Sequence, residues 1–356
     1  MPRRLVTFFA VLGCLLQTGC LVLPEQIAAE MSPARPGEPN PFARSAVPAA
    51  ATAFNAVISE ARASTVPLRH APLLTDLPLA SGQLVLSNQT SPNGYFTSLF
   101  ALEYQPWTHV GILSLEADGP VVYDSDGDIQ PIPGFPPSMF GAGQVRRLPF
   151  QEFLDIKHMV GLYALPPGVD AEKVVVYARK QYELGTPFDH YFNSADSSAL
   201  YCAELVARAL EAGGAPPVVP APMRDNRSVV QLRQWMRIPE HRMIFPGQLI
   251  SPERLVARWG GGFSPVQIDA DFEIRRELSR RFDPAARMGF LFEMRPRELL
   301  IRDEVRTFVV DTMVRFSTFE GDVESIQREV RRLADLYFVN LPLGPAVAAS
   351  PSQLPR

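Results

Sequence analysis

The chain has 356 residues, 46 % of them apolar and 20 % charged, enough to build a substantial core in one large domain with an extension or in two domains. This balance excludes a disordered chain. With 34 basic and 38 acidic residues the formal net charge is −4, which removes the electrostatic case for nucleic acid, because a polyanion calls for clustered, excess Lys and Arg.

In chain order, the first stretch is "MPRRLVTFFAVLGCLLQTGC", with Arg3 and Arg4 ahead of an apolar run from Leu5 to Leu16 that is too short to span a bilayer comfortably. This is the pattern of a secretory signal peptide, read over residues 1–19. The closing "LQTGC" resembles the lipobox of bacterial lipoproteins, which makes Cys20 the acylated residue and the anchor to membrane, although Gln17 stands where such boxes usually carry Leu. Ordinary secretion with cleavage nearby is the alternative. Leu21 after the cysteine, in place of Asp, implies by the same resemblance an outer-membrane protein facing the periplasm. Cys14 then leaves with the signal and Cys20 is lipidated or removed, so Cys202 is the remaining free thiol. A leftover thiol in an exported protein is a candidate reactive group. No CxxC and no His/Cys cluster with zinc spacing is present, so the sequence calls for no metal and no cofactor.

Residues 20–65 combine the anchor site, a Pro/Ala-rich tether and a short helix expected over 51–63. Short apolar runs follow, punctuated by Gly, Pro and Asp, and these read as strands at 83–86, 108–115, 120–125, 144–150 and 158–165. The second and third are joined by "EADG", with Asp118-Gly119 at the centre of a tight hairpin. Asp170 caps a helix over 171–184 whose inward face is Val174, Tyr177, Ala178, Gln181 and Tyr182, and Gly185 ends it. A further helix is expected from about Ser198 to Glu211. Residues 215–250 are Pro-rich and read as irregular loops. Beyond them, two helical faces are predicted, one of Val305, Phe308, Val309, Thr312, Met313 and Phe316, the other of Val323, Ile326, Val330, Leu333 and Tyr337. The division is therefore a core domain at 66–250, a helical extension at 251–340 and a tail at 341–356.

The stretch "SSALYCAELVARAL" places Cys202 on a helix face with Val206, Ala209 and Leu210. An arbitrary cysteine in such a stripe is a small buried hydrophobe. Asp196, Ser197 and Ser198 are good N-cap residues, however, which puts the thiol within about a turn of a helix N-terminus, where dipole and unpaired N–H groups favour a thiolate. Those N–H groups also suit an oxyanion. Among the five histidines (70, 109, 158, 190 and 241), only His109 lies inside an apolar strand, "WTHVGIL". A Cys–His pair oriented by a carboxylate activates a thiol for acyl transfer, and "VVYDSDGD" supplies Asp124, Asp126 and Asp128 on one strand face.

The segments "LASGQLVL", "YQPWTHVGIL", "VVYDSDGDIQPIP" and "ELGTPFDHYFNSADSSALYCAELV" resemble the YiiX/YaeF-type permuted papain-like amidases, relatives of the NlpC-type cell-wall hydrolases and of lecithin retinol acyltransferases. The likeness covers roughly residues 78–215, and in both cases the histidine precedes the cysteine. It implies an α+β fold, a small antiparallel sheet with packed helices, here followed by a C-terminal helical extension. It also implies Cys202 as nucleophile, His109 as base and then acid, and Asp124 as the residue orienting the imidazole. The family usually has Glu at that third place, and Asp is one methylene shorter. A hairpin centred on Asp118-Gly119 pairs Gly111 with Asp126 and sets Asp124 roughly 13 Å along the sheet from His109, at about 3.3 Å per residue. Asp126 therefore stands as the alternative third residue, with a bulge near Pro120 able to restore Asp124. Tyr191 is an oxyanion helper by position, though an aromatic in "HYFN" is ordinarily a core residue.

The function so implied is that of an envelope-anchored cysteine hydrolase cleaving an amide or ester, with a peptidoglycan peptide or an acyl lipid as substrate and no nucleic-acid partner. A non-catalytic lipoprotein binding module on the same fold and a lipid acyltransferase are the alternatives.

Overall fold

In a computed structural model of the protein, the described residues are 55–57, 77–88, 98–127, 143–157, 159–260, 263–285, 291–295 and 298–338. The signal region with Cys14 and Cys20, Asp128, most of the tether and the tail lie outside them.

Seven strands form one antiparallel sheet. In chain order the strands are β1 (Asn55–Val57), β2 (Leu84–Asn88), β3 (His109–Glu116), β4 (Gly119–Asp126), β5 (Gln144–Pro149), β6 (Met159–Tyr163), the short pair β7 (Ala221–Pro222) and β8 (Arg242–Met243), and β9 (Leu255–Gly260). The sheet order is β1-β9-β6-β2-β3-β4-β5, with β7 and β8 paired to each other outside it. Side chains alternate between the two faces of a strand, and this explains the two cores. Leu84, Leu86, Val110, Ile112, Val121 and Tyr123 point one way, where α2 (Ala171–Glu183) and α3 (Cys202–Ala212) cover them with Val174, Ala178, Val206 and Leu210. Val85, Leu113, Val122, Val160 and Leu162 point the other way and meet Phe150, Phe153 and Leu154 of α1 (Phe150–Ile156).

Downstream, α4 (Arg227–Met236) precedes β8, and α5 (Pro265–Ala285) packs on β9. A hairpin of β10 (Phe292–Arg295) and β11 (Glu298–Ile301) leads to α6 (Asp303–Phe316) and α7 (Val323–Phe338), which pack on α5 and on each other. Ile268, Phe308 and Val330 belong to the same apolar cluster as Leu84 and Val206, so these helices share the core of the sheet's helix-covered face. Among the described residues no helix is long and apolar enough to cross a membrane.

The strand expectations at 83–86, 108–115, 120–125, 144–150 and 158–165 fall within a residue or two of β2 to β6. Several others need correction. Asn55–Val57 pairs with β9 as a strand, where a helix over 51–63 was expected, and Phe150 opens α1 instead of ending β5. The third helix starts at Cys202, four residues later than Ser198, because Asp196 Oδ1 accepts from the Ser198 N–H in a local turn and spends the cap there. The supposedly irregular 215–250 contains α4, capped by Asn226 Oδ1 from the Val229 N–H. The sheet also reaches past residue 250, since β9 lies between β1 and β6, and the segment 251–340 carries the β10–β11 hairpin among its helices.

The inward face of α6 is the expected set of six residues. That of α7 is rotated to Ile326, Val330, Ala334 and Phe338, leaving Val323 51 % exposed. On α2 the buried set is Val174, Val175 and Ala178, and Tyr182 is exposed. Finally, the β3–β4 turn sits on Ala117-Asp118, so that Glu116 pairs with Gly119 and Gly111 with Asp124. Every residue of β4 is thereby displaced by two positions from the hairpin centred on Asp118-Gly119.

Candidate active site

The approach to α3 is pinned residue by residue. Leu200 donates its N–H to Pro187 O (2.9 Å) and its carbonyl accepts from Ser125 Oγ (2.5 Å), a β4 side chain on the helix-covered face. Tyr201 is the N-cap in extended conformation, and its hydroxyl accepts from the Ile244 N–H at 2.8 Å and lies 3.0 Å from Ser194 Oγ. No side chain caps the helix, so its leading N–H groups are not consumed by one. Cys202 is the first residue of α3. It is a free thiol and only half-buried, whereas Ala203 through Ala207 are buried.

His109 opens β3 and is 4 % exposed. The Cys202 side chain is near enough to act on the protonation of the ring, whose Nε2 is 2.7 Å from Asp124 Oδ2. With Nε2 turned to Asp124, Nδ1 is left for the thiol. The two-residue shift in register makes this contact. Asp124 stands opposite Gly111, two residues from His109 on the same face, and Gly111 has no side chain to block the diagonal. Phe153 of α1 stacks on the imidazole with centroids 6.3 Å apart.

Asp124 is fully buried and carries a second partner that the sequence reading did not single out. Arg146, directly opposite on β5, donates Nε to Oδ1 at 2.7 Å and Nη2 to Oδ2 at 3.0 Å. The same guanidinium meets Asp126 Oδ2 at 2.5 Å. Asp126, the reserve third residue, is thus turned to Arg146, while Asp124 is the carboxylate hydrogen-bonded to His109. Lys157, at the end of α1, is 3 % exposed and lies over Phe153 with Nζ 5.7 Å from the ring centroid. Tyr191 is half-buried in the loop before α3, its N–H donating to Asp189 Oδ1 at 2.8 Å. Arg146 and Lys157 escaped a reading that looked for nucleophile, base and carboxylate. Neither carries a signal of its own in the sequence, because β5 is only partly buried and both side chains read as ordinary surface charges.

The charges set the protonation states. Burial works against an imidazolium at His109, and Lys157 adds to that, but the Cys202 and Asp124 side chains override both and raise its pKa from 6.5 to about 9. Burial alone would push the Asp124 carboxyl up. Arg146 and the His109 hydrogen bond hold it well below the usual carboxylate range. Asp126 is likewise lowered, against burial, by Lys157, Arg146 and His109. The arrangement can therefore keep a proton on His109 beside the thiol at neutral pH, which is what attack by sulfur followed by proton donation requires.

No protein-family model and no curated protein matches the chain. One solved structure, the crystal structure of the metalloprotein yiiX from Escherichia coli O157:H7, is similar over 50 % of this chain and 94 % of its own, at 16 % identity and a TM-score of 0.39. At that level of likeness neither a metal nor an activity transfers. Among the described residues no group of three or more His, Cys, Asp and Glu is placed to hold a metal ion.

Proposed function

We propose that this protein is a cysteine hydrolase of permuted papain-like type, acting on an amide or ester carbonyl. The observation that carries this is the junction of Cys202 at the head of α3, His109 within reach of its thiol, and buried Asp124 at 2.7 Å from the far imidazole nitrogen. Cys202 Sγ, its proton passed to His109, attacks the carbonyl carbon and forms a tetrahedral intermediate whose oxyanion faces the N–H groups at the head of α3. Collapse breaks the bond to the leaving group, which takes the proton from His109, and a thioester remains on Cys202. His109 then removes a proton from water, the hydroxide oxygen adds to the thioester, and collapse breaks the C–S bond, releasing the acid product and leaving the Cys202 thiolate beside protonated His109. Asp124 holds the ring throughout and stabilises the positive charge whenever His109 carries the proton.

The lipobox-like "LQTGC" supports an acyl anchor at Cys20 on the bacterial envelope, facing the periplasm, and that location makes peptidoglycan peptides or acyl lipids the accessible substrates. The direct test is to expose the protein to p-nitrophenyl acetate, quench in acid and map the acetyl group by mass spectrometry. Acetylation at Cys202, slowed about a hundredfold or more in His109→Ala, is the expected result. A wild-type protein left unmodified at Cys202 supports a binding module in its place.

A further inference from the structure

Arg146 lies outside the nucleophile, base and carboxylate, yet its position is unusually constrained. It is cross-strand to Asp124, binds both oxygens of that buried carboxylate, and shares its Nη2 with Asp126, two residues further along β4. A planar guanidinium gripping both oxygens fixes the plane of the carboxyl group as well as its charge. Asp124 has a short side chain that must reach diagonally past Gly111, and the orientation of that plane decides whether Oδ2 or empty space faces Nε2.

We propose that Arg146 is a positioning residue of the site: it fixes Asp124 so that Oδ2 meets His109 Nε2, with Asp126 as the outer anchor that holds the guanidinium in place. The contacts run from Asp126 of β4 to Arg146 of β5, back to Asp124 of β4 and on to His109 of β3, whose ring in turn interacts electrostatically with Cys202 of α3. This inference builds on the hydrolase reading, although the His109–Asp124 contact it explains exists independently of catalysis. The titratable and charged groups that act on the imidazole are Asp124 and Asp126 from β4, Lys157 from the end of α1 and the Cys202 side chain from α3.

The test compares Arg146→Met and Arg146→Lys with wild type in the full chain, following the His109 ring by NMR and acetylation of Cys202 by p-nitrophenyl acetate. Loss of a nearby cation would by itself raise the pKa of an imidazole. The proposal predicts the reverse: in Arg146→Met the His109 pKa falls from about 9 toward 6.5 and the hydrogen-bonded Nε2–H resonance is lost. Acetylation slows about tenfold or more, as expected for a misplaced partner. Arg146→Lys keeps the charge without the fork and shifts both readouts in the same direction by less. A folded Arg146→Met protein that keeps the resonance and the pKa overturns the proposal. Should that variant not fold, an unchanged His109 in Arg146→Lys overturns it equally. Wild type that resists acetylation while its His109 responds to Arg146 contradicts the hydrolase reading alone.

Discussion

A Cβ added at Gly111 would lie 2.6 Å from Val122 Cγ1, 2.9 Å from Tyr123 O and 3.2 Å from Asp124 Cβ. The glycine in "THVGI" is thus required by close approach of the β4 strand, and φ plays no part in it. Gly111→Ala is expected to destabilise the fold by about 1–3 kcal/mol, the range for overpacking a filled site, and to push Asp124 off its line to His109. Thermal unfolding together with the His109 titration checks this. A variant with unchanged midpoint and unchanged His109 pKa would show that the β3–β4 contact has slack. At this scale much of the site was legible. A lone thiol, a histidine inside an apolar strand and an acidic strand face are chemical signals that one sequence displays. Arg146 was not, because its importance comes from standing opposite Asp124, and cross-strand register is a tertiary property.

At the scale of elements, the β3–β4 hairpin shows how a short shift redistributes roles. Moving the turn from Asp118-Gly119 to Ala117-Asp118 brings Asp124 within a hydrogen bond of His109 and turns Asp126 to Arg146. Both turns contain Asp118 and a neighbouring small residue, so local chemistry did not discriminate between them. The strands themselves were legible from alternation, whereas α4 was hidden by the prolines around it and the start of α3 by three competing cap residues.

Helix α3 carries another buried group. Glu204 is fully buried, with Oε1 3.3 Å from Arg208 Nη2 and Oε2 without a hydrogen-bond partner among the described residues. Burial, reinforced by Asp189 and Asp196 and opposed by Arg208, raises its pKa from 4.5 to about 7. An unfolded chain gives up this proton near 4.5 while the folded one keeps it to about 7, so stability falls as pH rises through that window. Glu204→Gln should abolish this loss and stabilise the protein at pH 8 by on the order of 1–3 kcal/mol. Urea unfolding at pH 5 and pH 8 decides it, and equal pH dependence in the two proteins would mean that Glu204 ionises freely.

Over the whole molecule, the site depends on elements far apart in the chain. His109 enters from β3, Asp124 from β4, Arg146 from β5, Phe153 and Lys157 from α1 and the thiol from α3. The three C-terminal helices share the apolar core of the sheet's helix-covered face, and β9 joins the sheet between β1 and β6. The amphipathic faces of α6 and α7 were legible as helices, whereas α5 was not read as a separate element. That all three complete one core with the sheet was not legible, because an apolar stripe specifies that a face is covered without specifying by what.

Assembly of the site also shows in its pH response. Folding holds a proton on His109 up to about 9, against 6.5 for a free imidazole, so its contribution to stability is full below 6.5 and is lost as pH rises through 9. The most direct measurement is therefore the titration of the His109 ring by NMR in wild type and in Cys202→Ala. A wild-type value near 9 that drops when the thiol is removed would establish the Cys–His unit on which the proposed chemistry rests. An ordinary value near 6.5, the same in both proteins, would contradict it.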